Sequence, residues 1–379
     1  MGLNAPARLR QAPPRPAPLQ PPDVLLLLGT AATVALGLVM ILSASSVTSA
    51  AQTGDPFYYF ERQLLWTGVG AVCFIICLRM DYHRWRDFAP LILVATFGIL
   101  LLVLVAGKVV NGSRRWLGFG PLLLQPSEVS KLSMVICVSA WLSARSERQI
   151  RSFWRGALPV LLVIVIAAGL ILAEPDLGTA AALAATSGVL LYIVGVPPGQ
   201  FLTIGAASIP VLAVAIFASP YRRERFLAFL NPQAQAQGGG YHILQSLYAL
   251  GSGGLFGVGL GQSRQKWFYL PEEHTDFIFA VLGEELGFLG ALLVLGLFAL
   301  LIARGFRVAA RAPDLFGTVL ATGLTSMLAI QVLVNVGVVS GLLPVTGIPL
   351  PMISYGGSSL VFTLAGLGIL ANISRHARG

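Results

Sequence analysis

The 379-residue sequence is 56% hydrophobic and only 11% charged, with 25 basic and 16 acidic residues and a net charge of +9. A soluble domain devotes about a quarter of its residues to charged side chains, so a soluble enzyme, a disordered chain and a collagen-like chain are all excluded. The bilayer is the expected solvent, and the positive balance then points to Arg-rich cytoplasmic loops rather than to nucleic acid.

Residues 1–22 hold seven prolines with Arg8, Arg10 and Arg15 and no apolar period, and read as a disordered basic tail ahead of a polytopic membrane domain over 23–379. The apolar run 24–44 is too long for a signal-peptide core and reads as an uncleaved first span. Further apolar runs of spanning length follow at 63–79, 88–107, 128–144, 156–173, 177–196, 200–219, 277–303, 315–340 and 351–373, which makes ten. The run 128–144 is the most polar of them, because it contains Glu128 and Lys131. Prolines punctuate the long uncharged stretches at Pro197-Pro198 and from Pro344 to Pro351. Cys73, Cys77 and Cys137 lie in apolar runs without metal-ligand spacing and read as packed small residues. The fold class expected is an all-α integral membrane protein.

Ten spans put both termini on one side. That side would carry fifteen basic residues and the other nine, with Lys131 inside a span, so the positive-inside rule favours an N-in, C-in chain. Eight of the nine outer positives fall in two loops. The first reads Asn111-Gly112-Ser113-Arg114-Arg115-Trp116 and continues to Gln125-Pro126-Ser127-Glu128-Val129-Ser130-Lys131, where Pro126 marks a helix start. Glu128 and Lys131 share a helix face, and read either as a structural pair or as part of an anion site in which Lys131 acts with Arg115 and Arg62. Trp116 reads as an interfacial anchor or as the wall of a lipid or sugar groove. In the turn Glu174-Pro175-Asp176-Leu177-Gly178-Thr179, Pro175 and Gly178 fit a tight outer turn, while the two acids are either solvated or functional.

The second basic loop is the large outer loop 220–276 between spans seven and eight, long enough to be functional. It opens Tyr221-Arg222-Arg223-Glu224-Arg225 and contains a short interfacial helix expected at 241–250. The glycine-rich run from Gly251 to Gly261 fits neither a dinucleotide fingerprint nor a P-loop, and reads as close-packed or flexible backbone, or as the lining of a groove. The loop ends Leu270-Pro271-Glu272-Glu273-His274-Thr275-Asp276, which places Asp276 at or just inside a helix N-terminus. Glu284 and Glu285 would lie about 12–13 Å further along a straight helix, a depth where carboxylates need a polar cavity or a basic partner. An acid at a wet mouth with others below it suits a general base, a cation site, or both.

Four segments in order carry a resemblance: Gln125 to Lys131, Glu174 to Thr179, Leu270 to Phe279, and Gly347 to Ser359, reading GIPLPMISYGGSS. The chain resembles the SEDS family (shape, elongation, division, sporulation) of bacterial cell-wall proteins. Phe279 with Gly283 to Gly287, and the opening Gly37 to Ser45, resemble the FtsW-like division and sporulation branch more than the RodA-like elongation branch. The resemblance implies a ten-span peptidoglycan glycosyltransferase. It would polymerise lipid II, the undecaprenyl-diphosphate-linked disaccharide-pentapeptide, on the outer face of the cytoplasmic membrane at the division septum. A class B penicillin-binding transpeptidase and divisome proteins are the implied partners. The family's essential aspartate carries over to Asp276 and its motif lysine to Lys131, beside Glu128. The candidate substrate-binding residues are then Arg62, Arg115, Trp116, Glu128, Lys131, Glu174, Asp176, His274, Glu284 and Glu285. A divalent cation (Mg or Mn) is compatible with this chemistry, and no organic cofactor is expected. Two other classes of function compete: a lipid II flippase, since intramembrane charges also mark substrate pathways, and a non-catalytic scaffold for a transpeptidase. Against the flippase, the charges cluster at one face and no internal repeat is visible.

Overall fold

The computed structural model describes residues 20–110, 113–119 and 122–377. The tail residues 1–19 and the loop residues Asn111 and Gly112 lie outside the described residues. Helices α1 (Val24–Thr53), α2 (Tyr58–Arg79) and α3 (His83–Ala106) come first, then α4 (Pro126–Ser143), a short α5 (Glu147–Arg151) and α6 (Leu158–Ala173) after one π-helical turn. There follow α7 (Leu177–Ile193), α8 (Pro198–Phe217), α9 (Pro220–Leu230), α10 (Tyr241–Ser252), α11 (Ile278–Arg311), α12 (Leu315–Val339) and α13 (Gly357–His376). Among the described residues eight helical segments are long and apolar enough to cross a membrane; α7 is apolar but shorter, at 17 residues. The eighteen-residue α4 carries Glu128 and Lys131 and is buried along most of its length.

The architecture departs from an all-α expectation in one place. Residues Lys108–Val110, Ser113–Phe119 and Leu122–Leu124 form three short antiparallel strands, β1, β2 and β3, in that order. Their pairing satisfies backbone groups that an open loop would leave to water. The long segment between α8 and α11 is also more ordered than a connector, because it contains α9 as well as the expected helix, α10.

Helices α12 and α13 form the buried centre, while α2, α3, α8 and the second half of α11 turn large apolar side chains outward, as lipid-facing helices do. Helix α8 has no buried residue at all. Small residues allow the closest approach: a Cβ on Gly368 of α13 would lie 2.5 Å from the Phe74 carbonyl of α2, the kind of contact that replaces the hydrophobic drive between helices in lipid. At one end of the bundle Arg304 pairs with Asp23, the Asp23 amide donates to Ser374 (3.0 Å) and the Tyr82 amide to Asn372 (3.0 Å), which ties both ends of the described chain together.

Helix α11 is broken. Gly287 has φ 69° and ψ −169°, so residues 278–286 form a separate half-helix. The backbone groups freed by the break are taken up by the glycine-rich run: the amides of Val258 and Gly259 donate to the carbonyls of Glu284 and Glu285, both at 3.0 Å. In return the amides of Phe288 and Leu289 donate to Gly254 (2.9 Å) and Leu255 (3.1 Å). Irregular backbone at membrane depth requires such compensation. The run is therefore close-packed backbone, and none of it lines the large cavity described below. Gly257 has φ +81°, and a Cβ there would stand 2.1 Å from the Glu285 carbonyl. Gly257→Ala is expected to lower the melting temperature in detergent by several degrees, whereas Gly251→Ala, with open space around its Cβ position, leaves it unchanged.

Candidate functional site

At the end of the bundle opposite the tied termini, the chain encloses a cavity of about 420 Å³. Its walls come from distant parts of the sequence: Arg62 and Trp66 from α2, Arg115 and Trp116 from β2, Gln125 ahead of α4, and Arg222, Arg225 and Phe226 from α9. Glu272, Thr275 and Asp276 come from the segment before α11, Pro344 to Gly347, Pro349, Tyr355 and Gly356 from the irregular stretch between α12 and α13, and Gly357 to Ser359 from the first turn of α13. Four arginines thus face a cavity containing two acids, Glu272 and Asp276, a charge balance suited to an anionic ligand.

Asp276 stands two residues ahead of α11, outside the helix, and Phe277 occupies the cap position. Burial, reinforced by the charge of Glu272, pushes the Asp276 carboxyl up to about 7, with Arg225 pulling the other way. A carboxyl with this affinity for protons is matched to accepting one near neutral pH. Gly347, with φ +79°, lies alongside, and a Cβ there would sit 3.6 Å from Asp276 Oδ2.

Arg115 is anchored as well as charged: Nε donates to the Glu174 carbonyl (2.7 Å) and Nη2 to the Pro175 carbonyl (2.6 Å). The α6–α7 turn is thereby strapped to the β2 strand at the cavity rim. Glu174 itself is fully buried with no hydrogen bond to either carboxyl oxygen; burial and then the charge of Asp176 push it up to about 8, so it is mostly neutral at pH 7. Asp176 caps α7, accepting from the Thr179 amide (3.0 Å) and Ser127 Oγ (3.3 Å). Neither acid faces the cavity, although Pro175 between them does. Asp176 serves the turn as a helix cap, while Glu174 lies buried beneath the strap.

The cavity brings together Arg62, Arg115, Trp116 and Asp276 from the sequence-based candidates, and leaves the others elsewhere. Lys131 pairs with Glu128 at 2.8 Å and donates to Gln331 Oε1 at 3.1 Å, with both charged side chains almost fully buried, so it does not join Arg62 and Arg115. A lysine held this way in a packed interior is compensated by its partners. His274 packs its ring against Tyr59 (4.7 Å) and Tyr355 (5.7 Å) behind the wall that Tyr355 presents.

Glu284 and Glu285 are not a continuation of the cavity. The break at Gly287 ends their half-helix, and both turn to the 263–266 loop. Glu284 accepts from Ser263 Oγ and the Arg264 amide (3.1 Å), and Glu285 from Ser43 Oγ (2.7 Å) and the Ser263 amide (3.3 Å), with Lys266 at 3.8 Å. Trp66, Arg222, Arg225, Glu272 and Tyr355 are not among the sequence-based candidates, although all but Trp66 lie in segments that the sequence brings to notice. The signal for the two arginines was present in the excess of positive charge around 222–225.

Among the described residues no three His, Cys, Asp or Glu side chains converge to hold a metal ion.

Residues 23–379 match the family described as cell cycle protein, comprising FtsW, RodA and SpoVE. The chain is 46% identical over 359 residues to the stage V sporulation protein E of Bacillus subtilis, covering 94% of this chain and 98% of that protein. It is 42% identical to a probable peptidoglycan glycosyltransferase FtsW of Trichlorobacter lovleyi, covering 93% of each. A solved structure, described as structural coordination of polymerization and crosslinking by a peptidoglycan synthase complex, superposes with a TM-score of 0.78 at 34% identity over 93% of this chain and 98% of that one.

Proposed function

The chain belongs to the FtsW, RodA and SpoVE family of cell cycle proteins, the SEDS family, and from that membership and the cavity we propose a peptidoglycan glycosyltransferase that polymerises lipid II for septal cell-wall synthesis. It is a multi-pass protein of the bacterial cytoplasmic membrane and works with a penicillin-binding transpeptidase. We read the eight long spans together with α7 and the polar α4 as ten crossings; an even number keeps both termini on one side, and the positive-inside rule favours the cytoplasm for them and the outer face for the arginine-lined cavity. The branch assignment is supported by the SpoVE and FtsW relatives.

The observation that carries the mechanism is Asp276 facing a cavity of four arginines. Chain growth requires the 4-hydroxyl of an acceptor N-acetylglucosamine to attack the anomeric carbon of a lipid-linked N-acetylmuramic acid, with inversion. Asp276 takes the hydroxyl proton as the C–O bond forms. The anomeric bond to the lipid diphosphate breaks, and the electron pair leaves on the phosphate oxygen. Arg62, Arg115, Arg222 and Arg225 compensate that charge with forked donors, while Trp66 and Trp116 offer faces to the sugars. The volume of about 420 Å³ suits a sugar-diphosphate with its polyprenyl tail left in lipid.

The test is the purified chain with its transpeptidase partner and labelled lipid II, measured for glycan strands and, in vesicles, for lipid II movement between leaflets. Strands are expected. Movement without strands would make the protein a flippase, and neither would leave it a scaffold.

A further inference from the structure

The segment that carries Asp276 is held in an unusual way. Three successive backbone carbonyls each receive one hydrogen bond from residues in or behind the cavity wall. The Tyr355 amide donates to the His274 carbonyl at 2.9 Å, Ser354 Oγ to the Thr275 carbonyl at 2.6 Å, and Asn335 Nδ2 to the Asp276 carbonyl at 2.8 Å. Asn335 is 1% exposed, and its Nδ2 also donates to the Ile348 carbonyl at 2.9 Å, so one amide group spans both strands of the wall. Ser354, 3% exposed, accepts in turn from the Leu350 amide at 2.8 Å. On its other side the acid's segment begins at Glu272, whose backbone φ is +58°, and whose carbonyl accepts from the Thr275 and Phe277 amides, both at 3.2 Å.

We propose that Asn335 and Ser354 are positioning residues for the reaction: by clamping the Thr275 and Asp276 carbonyls to the 348–355 segment, they fix the direction in which the Asp276 carboxylate enters the cavity. Neither side chain faces substrate. Asn335 sits in α12, one of the two helices at the buried centre of the bundle, so the clamp refers the acid to the rigid core and not to the long outer loop it follows. A general base must meet its proton within hydrogen-bond reach, and a displacement of about 1 Å costs as much as 100-fold. The same 348–355 segment supplies Pro349 and Tyr355 to the cavity wall, so acid and wall move as one body.

The proposal rests on Asp276 being the base, and the experiment separates the two. Lipid II polymerisation by the chain with its partner is measured for Asp276→Asn, Asn335→Leu, Ser354→Ala and Ser354→Thr, as kcat, KM and pH profile, with melting temperatures alongside. Asn335→Leu and Ser354→Ala are expected to lower kcat about 10- to 100-fold, with KM for lipid II within about threefold, and to move the acid limb of the profile, because Asp276 changes its distance to Glu272 and Arg225. Ser354→Thr, which keeps the hydroxyl, restores most of the rate. If Asn335→Leu does not fold, the two Ser354 variants decide alone. Clamp variants with wild-type kcat and an unmoved acid limb, or a Ser354→Thr no better than Ser354→Ala, overturn the positioning role while leaving the base assignment standing. An active Asp276→Asn overturns the base itself.

Discussion

Asp276→Asn is expected to reduce glycan polymerisation by about 10² to 10⁴-fold, the usual contribution of a positioned general base, while lipid II binding changes little because the arginines remain. The wild-type rate should fall as pH drops through about 7, the value to which burial and Glu272 push the Asp276 carboxyl. The sign follows from the chemistry: only the ionised acid accepts the hydroxyl proton, so activity is present above that value and lost below it. Glu272→Gln removes the negative neighbour that raises Asp276, and the acid limb should move to lower pH; Arg225→Gln removes the positive one and should move it to higher pH. A wild-type midpoint near 4 would show that the cavity does not raise the Asp276 carboxyl, and an acid limb unmoved by both Glu272→Gln and Arg225→Gln would argue against Asp276 as the titrating base.

How much of this could be read from the amino-acid sequence differs by element, for physical reasons. The spans are visible because lipid demands long apolar runs, but their ends are not. Helix α1 continues past residue 44 to Thr53 through a run of Ser and Thr whose hydroxyls are satisfied inside the bundle, as when Ser45 donates to the Ile41 carbonyl (2.7 Å) and Thr48 to Glu273. Hydropathy stops at the first such residue, whereas the helix does not. Pro126 announced α4 correctly, yet nothing local revealed that Lys131 would find Gln331, two hundred residues away, in addition to Glu128. Glu284 and Glu285 do lie on one helical stretch, 278–286, as their spacing suggests; the spacing alone does not show that the 263–266 loop folds over to meet them. Gly287 breaks the helix only because a second segment, 253–259, supplies the backbone partners. Of the cavity, Asp276, Arg62, Arg115 and Trp116 were legible from charge and motif. Arg225, Tyr355, Asn335 and Ser354 acquire meaning only when α9, α12 and the 344–359 segment converge on one place.

The arginines are expected to give the second large effect, and they should not behave alike. Arg225 lies over the Tyr221 ring, 4.5 Å from its centroid, on α9 at the cavity edge, so Arg225→Gln removes mainly a charge. A lost charge-assisted hydrogen bond costs about 2 kcal/mol, or roughly 30-fold in kcat/KM, and because the interaction is electrostatic the deficit should shrink as salt weakens the wild type. Arg115→Gln should cost more. Its guanidinium both faces the cavity and holds the carbonyls of Glu174 and Pro175, and its charge opposes the burial that pushes Glu174 up to about 8. Losing it frees the α6–α7 turn as well as the anion site, so kcat falls and KM rises together. Arg115→Lys separates the two contributions: the positive charge stays, but a lysine cannot reproduce the forked contact to two carbonyls. If the diphosphate is the main client of Arg115, the lysine variant recovers most of the lost activity. If the strap on the turn matters more, it recovers little, and the Arg115→Gln deficit should then be insensitive to salt. Initial rates across lipid II concentration at two ionic strengths distinguish these outcomes, and an Arg225→Gln variant with unchanged KM and unchanged salt dependence would remove the arginine cluster from diphosphate binding.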